Sequence, residues 1–245
     1  MEHFYLYNNL STDRYQEILK PYIEMGVVDL FEWPIETKNQ REYLEQLQLP
    51  AYNHALAITK EVAEWAAFID LDEFLLPMRH DNLIQMLSEY TSFGGIAINW
   101  QLFGTSGIDK LPQGGLIIEH LIYKAPEQAA MNEYVKLIVQ PRHVAFIGNP
   151  HSFQFNEGYF AVNSNGVPLP PKHMMQPVII DTVCINHYWC GTLEWLLQNK
   201  LPRRKKWGWV VTPEYLDYMC TFYNEVQDEK ITVYVNPLKT AMGVQ

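Results

Sequence analysis

Cysteine is scarce in this chain of 245 residues: Cys184, Cys190 and Cys220 are the only three, and no two stand in a CxxC spacing. That excludes a disulfide framework and a zinc knuckle, and free thiols in a reducing compartment are expected. Positive charge is also short. Lys and Arg total 18 against 28 Asp and Glu, a formal net charge of −10, which excludes general binding along a nucleic-acid backbone. No apolar run approaches the roughly 20 residues of a membrane-spanning helix. The opening MEHFYLYNNL lacks a basic head followed by an apolar stretch, so no secretory signal is read there. Internal repeats, low-complexity tracts and linker-like stretches are missing too. The expectation is a soluble, cytoplasmic protein with one domain over residues 1–245.

What is present alternates between two periods. HFYLY (3–7) reads as a strand. The turn NNLSTD follows, where Ser11, Thr12 or Asp13 can cap a helix running to Gly26, with Pro21 kinking or restarting it. VVDLFEW (27–33) reads as a second strand. In AYNHALAITKEVAEWA (51–66), Ala55, Leu56, Ile58, Val62, Ala63 and Ala66 recur at helical spacing, and AAFID (66–70) is the next strand. The order β-α-β-α-β predicts a parallel sheet flanked by helices. A helix at 81–90 and a strand at 94–100 come next. LIIEHLIY, YVKLIVQ and HVAFI then read as strands with short turns, so antiparallel members should join the sheet. VIIDTVCINHYW is strand-like, and helices are predicted at 192–200 and 213–227. The fold class is α/β with a mixed sheet.

The stretch FIDLDEFLLP (68–77) carries Asp70, Asp72 and Glu73 inside an otherwise apolar decapeptide. Residues two apart in extended chain face one side, so Asp70 and Asp72 can converge just past the carboxyl end of a strand. Open α/β sheets bind ligands at that edge. Paired hard oxygens suit Mg²⁺ or Mn²⁺, which keep open positions for substrate phosphates. The same acids could instead simply cap the following turn. A rival motif also fits: hhDxDxxLL is similar to the opening of haloacid-dehalogenase-like phosphatases, in which the first Asp is a nucleophile. The downstream GDxxxD-like segment of that family is missing here, and the acids arrive only after two β-α units.

Separated segments point elsewhere together. HFYLYNNLS, FIDLDEFLLP, INWQLFGTSG, KLIVQP, NPH and INHYWCGTLEWLLQNK, in this order over about residues 3 to 206, resemble the family 92 glycosyltransferases and their family 2 relatives. The resemblance implies a GT-A-like (Rossmann-like) fold, with residues 1–100 as the nucleotide and metal half and 101–245 as the acceptor half. It implies an inverting transfer of a hexose from a nucleotide-diphosphate donor, UDP-galactose-like, to a glycan or lipid-linked acceptor. Asp72 would then be the main Mn²⁺ or Mg²⁺ ligand, with Asp70 near the ribose or the ion and His187 completing the site. His151 matches a further histidine of the pattern. Asn99, Trp100, Phe103, Gly104, Ser106 and Gly107 would contact the sugar, and Lys136 the phosphates. The base would be a carboxylate, with Glu73, Asp109 and Glu119 as candidates and Glu119 preferred because GLIIEH resembles a family segment.

KLPRRKKWGW (200–209) gathers five basic residues beside Trp207 and Trp209. Three uses stay open: Arg203 and Arg204 as a clamp on the diphosphate, attachment to an anionic bilayer surface, or a solvated turn. Against the family pattern, a first strand and helix expected before HFYLY do not appear ahead of Met1. Nucleotide recognition is the function that departure touches, and a non-catalytic sugar- or nucleotide-binding relative is the alternative it raises.

Overall fold

The computed structural model describes residues 2–171 and 174–243. Strands β1 (Phe4–Asn8) and β2 (Val28–Glu32) pair in parallel, Phe4 opposite Val28 and Asn8 opposite Glu32. Helix Tyr15–Glu24 connects them and passes through Pro21 without ending there. Its N-cap is Arg14, whose side chain makes no capping bond, and Asp13 Oδ1 accepts from the Tyr15 amide at 3.3 Å. Gly26, at φ 69°, turns the chain into β2, a conformation that costs a residue with Cβ strain. Helix Leu49–Val62 follows a π-wound turn, Tyr43–Gln48, and stops where Ala63 becomes extended.

The remaining strands are β3 (Ala66–Phe68), β4 (Glu73–Pro77), β5 (Gly95–Leu102), β6 (Tyr123–Lys124), β7 (Val135–Val139), β8 (Val144–Asn149), β9 (Ser152–Phe155), β10 (Ala161–Val162) and β11 (Val183–His187), with a short partner for β6 at Val226–Gln227. Six of them form one mixed sheet in the order β3-β7-β5-β11-β4, with β10 on β5. β5 is buried along its whole length. Ala55 and Leu56 of helix Leu49–Val62 pack against Phe68, Leu137 and Val139 of the sheet.

Two expectations change here. The parallel pair β1–β2 is a separate two-stranded sheet, and β3 bonds antiparallel to β7 rather than continuing the parallel run. LIIEHLIY is not one strand: Ile117–His120 is a short helix that buries Ile118, Leu121 is buried just past it, and only Tyr123 joins β6. A short apolar run fits either period, and its neighbours decided.

The sheet order also explains the acidic stretch. β3 and β4 stand at opposite ends of that order, about 19 Å apart if the sheet were flat. Only five steps of chain separate Phe68 from Glu73, roughly 17 Å at full stretch. Moreover, the link is turned, with the Glu73 amide donating to the Asp70 carbonyl at 3.1 Å. The sheet therefore curls until its two edges meet, and Asp70 and Asp72 lie on the link that closes it. Among the described residues no helix is long and apolar enough to cross a membrane.

Candidate functional site

The closing link borders a broad cleft. Asp70, Asp72, Trp100, Lys136, His151, His187, Arg203 and Arg204 all line it. Two ion pairs organise its floor.

The first centres on Lys136 of β7, whose side chain is 1% exposed. Its Nζ lies 3.1 Å from Asp70 Oδ1 and 3.8 Å from Glu73 Oε2, and it donates to the Tyr52 hydroxyl at 3.2 Å. Glu73 Oε2 also accepts from the Asp70 amide at 2.8 Å. Burial opposes charge on all three groups. It wins at Glu73, whose carboxyl is pushed well above the usual range. At Asp70 the nearby ammonium outweighs burial and holds the carboxyl low, while the acids and Tyr52 together push Lys136 up. The cluster thus carries one ion pair, Lys136 with Asp70, beside a protonation-prone acid.

The second pair forms at Asp72. The Tyr188 amide donates to the Asp72 carbonyl at 2.8 Å, and pairing of β11 with β4 sets His187 opposite Glu73. As a result His187 Nε2 stands 3.6 Å from Asp72 Oδ1, while Lys200 Nζ donates to Oδ2 at 2.7 Å. Burial works against the Asp72 charge, but His187 and Lys200 outweigh it and hold the carboxyl well below its usual range. Burial also pulls the His187 imidazole down, against the pull of the Asp72 carboxylate. His187 Nδ1 and Glu73 Oε1 are buried without a hydrogen-bond partner and lie 4.0 Å apart. Trp100 packs on the His187 ring at 4.3 Å between centroids, and on His151, whose Nδ1 bonds the Val135 carbonyl at 2.8 Å.

Among the described residues no three His, Cys, Asp or Glu side chains close around one point. Asp72 and His187 converge, whereas Asp70 turns to Lys136. Two protein ligands fit a Mg²⁺ or Mn²⁺ that takes its other positions from water and phosphate. Such an ion would meet Lys200 at the same carboxylate.

A cationic wall rises over this floor. Arg203 and Arg204, on helix Leu201–Lys206, have no carboxylate within 4.0 Å among the described residues. Arg204 lies over Trp189, Trp207 and Trp209 at 5.8, 5.1 and 4.8 Å, and Arg203 over Trp207 at 5.4 Å. The Arg204 Nε is buried without a partner. Burial and the neighbouring Arg203 both lower the Arg204 pKa. Two close guanidiniums lacking counter-ions form an anion-seeking surface.

Other sequence candidates lie elsewhere. Asn99 is 1% exposed; its Nδ2 bonds the carbonyls of Asn132, Glu133 and Met175, and its Oδ1 accepts from the Ile179 amide. Phe103 is fully buried against Tyr188. Gly104 lies against Tyr223 and Asn224. Ser106 Oγ accepts from the Tyr123 amide, and Ser106 and Gly107 both take positive φ in a tight turn. These five build the frame behind the cleft rather than its wall. Glu119 is ion-paired to Lys239 at 2.7 Å, Asp109 is exposed, and neither lines the cleft. Sequence reasoning did not single out Lys200, Trp189 or Tyr52. The first two carried a faint signal, at the head of the basic stretch and inside NHYW; Tyr52 carried none.

Residues 1–232 match the family model described as glycosyltransferase family 92. A glycosyltransferase family 92 protein of Oryza sativa subsp. japonica is 27% identical over 169 residues, 66% of this chain and 26% of its own length. Another, of Ricinus communis, is 22% identical over 172 residues, 67% of this chain and 29% of its own length. The matched part is thus less than a third of each relative.

Proposed function

Because this chain belongs to glycosyltransferase family 92, we propose that its cleft binds a nucleotide-diphosphate sugar and transfers the sugar, a hexose from a UDP-galactose-like donor, to a glycan or lipid-linked acceptor. One observation carries the reading: uncompensated guanidiniums at Arg203 and Arg204 line the same cleft as the Asp70–Asp72 link. A diphosphate suits the first, and Asp72 of the second, with His187, would hold a divalent cation that neutralises phosphate charge.

The chemistry is a single displacement with inversion. An acceptor hydroxyl oxygen forms a bond to the anomeric carbon while the bond from that carbon to the diphosphate oxygen breaks. The electron pair leaves with the diphosphate, and the hydroxyl proton passes to a carboxylate base. Arg203 and Arg204 stabilise the growing negative charge, and the low-dielectric floor strengthens that effect. Asp72 and His187 would hold a divalent ion, which supplies further charge neutralisation on the diphosphate. Trp100 is buried, stacked on Tyr134 and packed on His151 and His187, so it braces the His187 ring from behind rather than offering a face to the sugar.

The test is binding and turnover of a panel of UDP-hexoses with Mn²⁺, for the wild type and Asp72→Asn. Loss of hydrolysis and transfer in the variant is expected. Equal behaviour of the two proteins rejects the assignment, and binding without turnover in the wild type identifies a non-catalytic relative. Family membership sets the phosphatase alternative aside.

A further inference from the structure

Among the described residues, Lys200 is the member of the cationic wall that is paired with a carboxylate. It ends the π-wound turn Leu196–Lys200 and leads into helix Leu201–Lys206. Lys200, Arg203 and Arg204 stand at i, i+3 and i+4, which places them on one helix face, and all three line the cleft. The Lys200 side chain is 8% exposed and that of Asp72 29%, so the pair is shielded but reachable. Trp189 holds the ammonium from the other side, 5.2 Å from its ring centre.

Asp72 has two oxygens. Oδ2 accepts from Lys200 at 2.7 Å and Oδ1 faces His187 at 3.6 Å. A divalent ion bound by Asp72 and His187 with Lys200 still in place would bring an ammonium and a doubly charged ion onto one carboxylate. Asp72 is only partly exposed, so the two positive charges repel across incompletely screened space and binding of one weakens binding of the other. The lysine stem is flexible and its charge is a compact point, and the anion-seeking groups Arg203 and Arg204 lie one turn away.

We propose that Lys200 is a tethered cation that competes with a divalent ion for Asp72, and that a diphosphate on Arg203 and Arg204 draws the ammonium away and so opens the carboxylate to the ion. This rests on the diphosphate-binding reading given above and adds to it a gate: metal binds well only when nucleotide is present. It makes Lys200 a positioning and specificity-determining residue rather than a catalytic one.

The full chain is titrated with Mn²⁺ alone by calorimetry, as wild type, Lys200→Met and Lys200→Arg. Thermal melts of each check that the variants fold. Lys200→Met should bind Mn²⁺ at least tenfold tighter than wild type, and Lys200→Arg, which keeps the charge, should stay near wild type and act as the second reporter. Adding saturating UDP to both should shrink the gap between wild type and Lys200→Met to threefold or less. Equal Mn²⁺ affinity in wild type and Lys200→Met, or no Mn²⁺ binding by either, overturns the proposal, as does a gap that UDP leaves unchanged. UDP binding by the wild type in metal-free buffer is measured alongside. If it is retained while the competition is absent, the gate fails and the diphosphate reading stands; if UDP never binds, that reading fails.

Discussion

Lys136 Nζ lies 3.1 Å from Asp70 Oδ1 at the end of a side chain that is 1% exposed. The orientation of the first acid in the closing link is therefore set from inside the sheet. Asp72 is held instead from the helix side, by Lys200. The two aspartates share a motif but answer to different elements. This division decides what each substitution below should do.

Removing the buried ammonium leaves Asp70 and Glu73 facing each other without a cation. Lys136→Met should cost about 3 kcal/mol in urea unfolding, the usual scale for breaking one side of a buried pair. Combining it with Asp70→Asn should cost less than the sum, by about 1 kcal/mol or more, because the two side chains are coupled. Strict additivity would show that they are not.

Glu73 makes stability fall with rising pH. Its carboxyl is pushed well above 4.5 by burial, so above pH 4.5 the unfolded chain releases a proton that the folded chain keeps. Stability then declines as pH rises, until the folded pKa is passed. Glu73→Gln lacks this term. The melting temperature of the variant minus that of the wild type should grow between pH 4 and pH 8, and a constant difference across that range contradicts the assignment.

Arg203 and Arg204 should act on nucleotide rather than on fold. Each charged hydrogen bond to phosphate is worth roughly 1.5–3 kcal/mol, so the double variant Arg203→Ala, Arg204→Ala should weaken UDP binding at least tenfold in equilibrium titration. The wild-type affinity should drop with added salt, and the variant should respond less.

Gly104 should act on fold rather than on nucleotide. A Cβ there would come within 2.5 Å of the Tyr223 carbonyl and would press on Asn224, whose Oδ1 accepts from the Ser106 amide. Gly104→Ala should lower stability by about 2–3 kcal/mol, the cost of overpacking a close backbone approach. Below its melting temperature it should bind UDP as the wild type does. A selective loss of UDP affinity would return Gly104 to the cleft wall.

Much of the fold could be read from local pattern. Gly95–Leu102 and Val135–Val139 appear as strands within two residues of where their apolar runs place them, because a run buried on both faces has few other uses. Ile117–His120 escaped, since four apolar-rich residues carry no period long enough to choose a helix. In the site, Asp70, Asp72, His187, Lys136 and Arg203–Arg204 were legible as types suited to phosphate and cation chemistry. Asn99 and Phe103 looked alike in kind but serve packing; nothing in WQLFGTSG tells a buried staple from a wall.

By itself the sequence determined where acids, cations and aromatics stand along the chain and which short stretches are extended or helical, since those follow from side-chain period and turn chemistry within a few residues. The tertiary structure alone decided which charge meets which. Lys200 and Asp72 are 128 positions apart, and they meet because the strand order curls the sheet shut at residues 69–72 and sets β11 beside β4. A one-dimensional pattern records what each residue can do; partner choice depends on strand order and curl, which no local window contains.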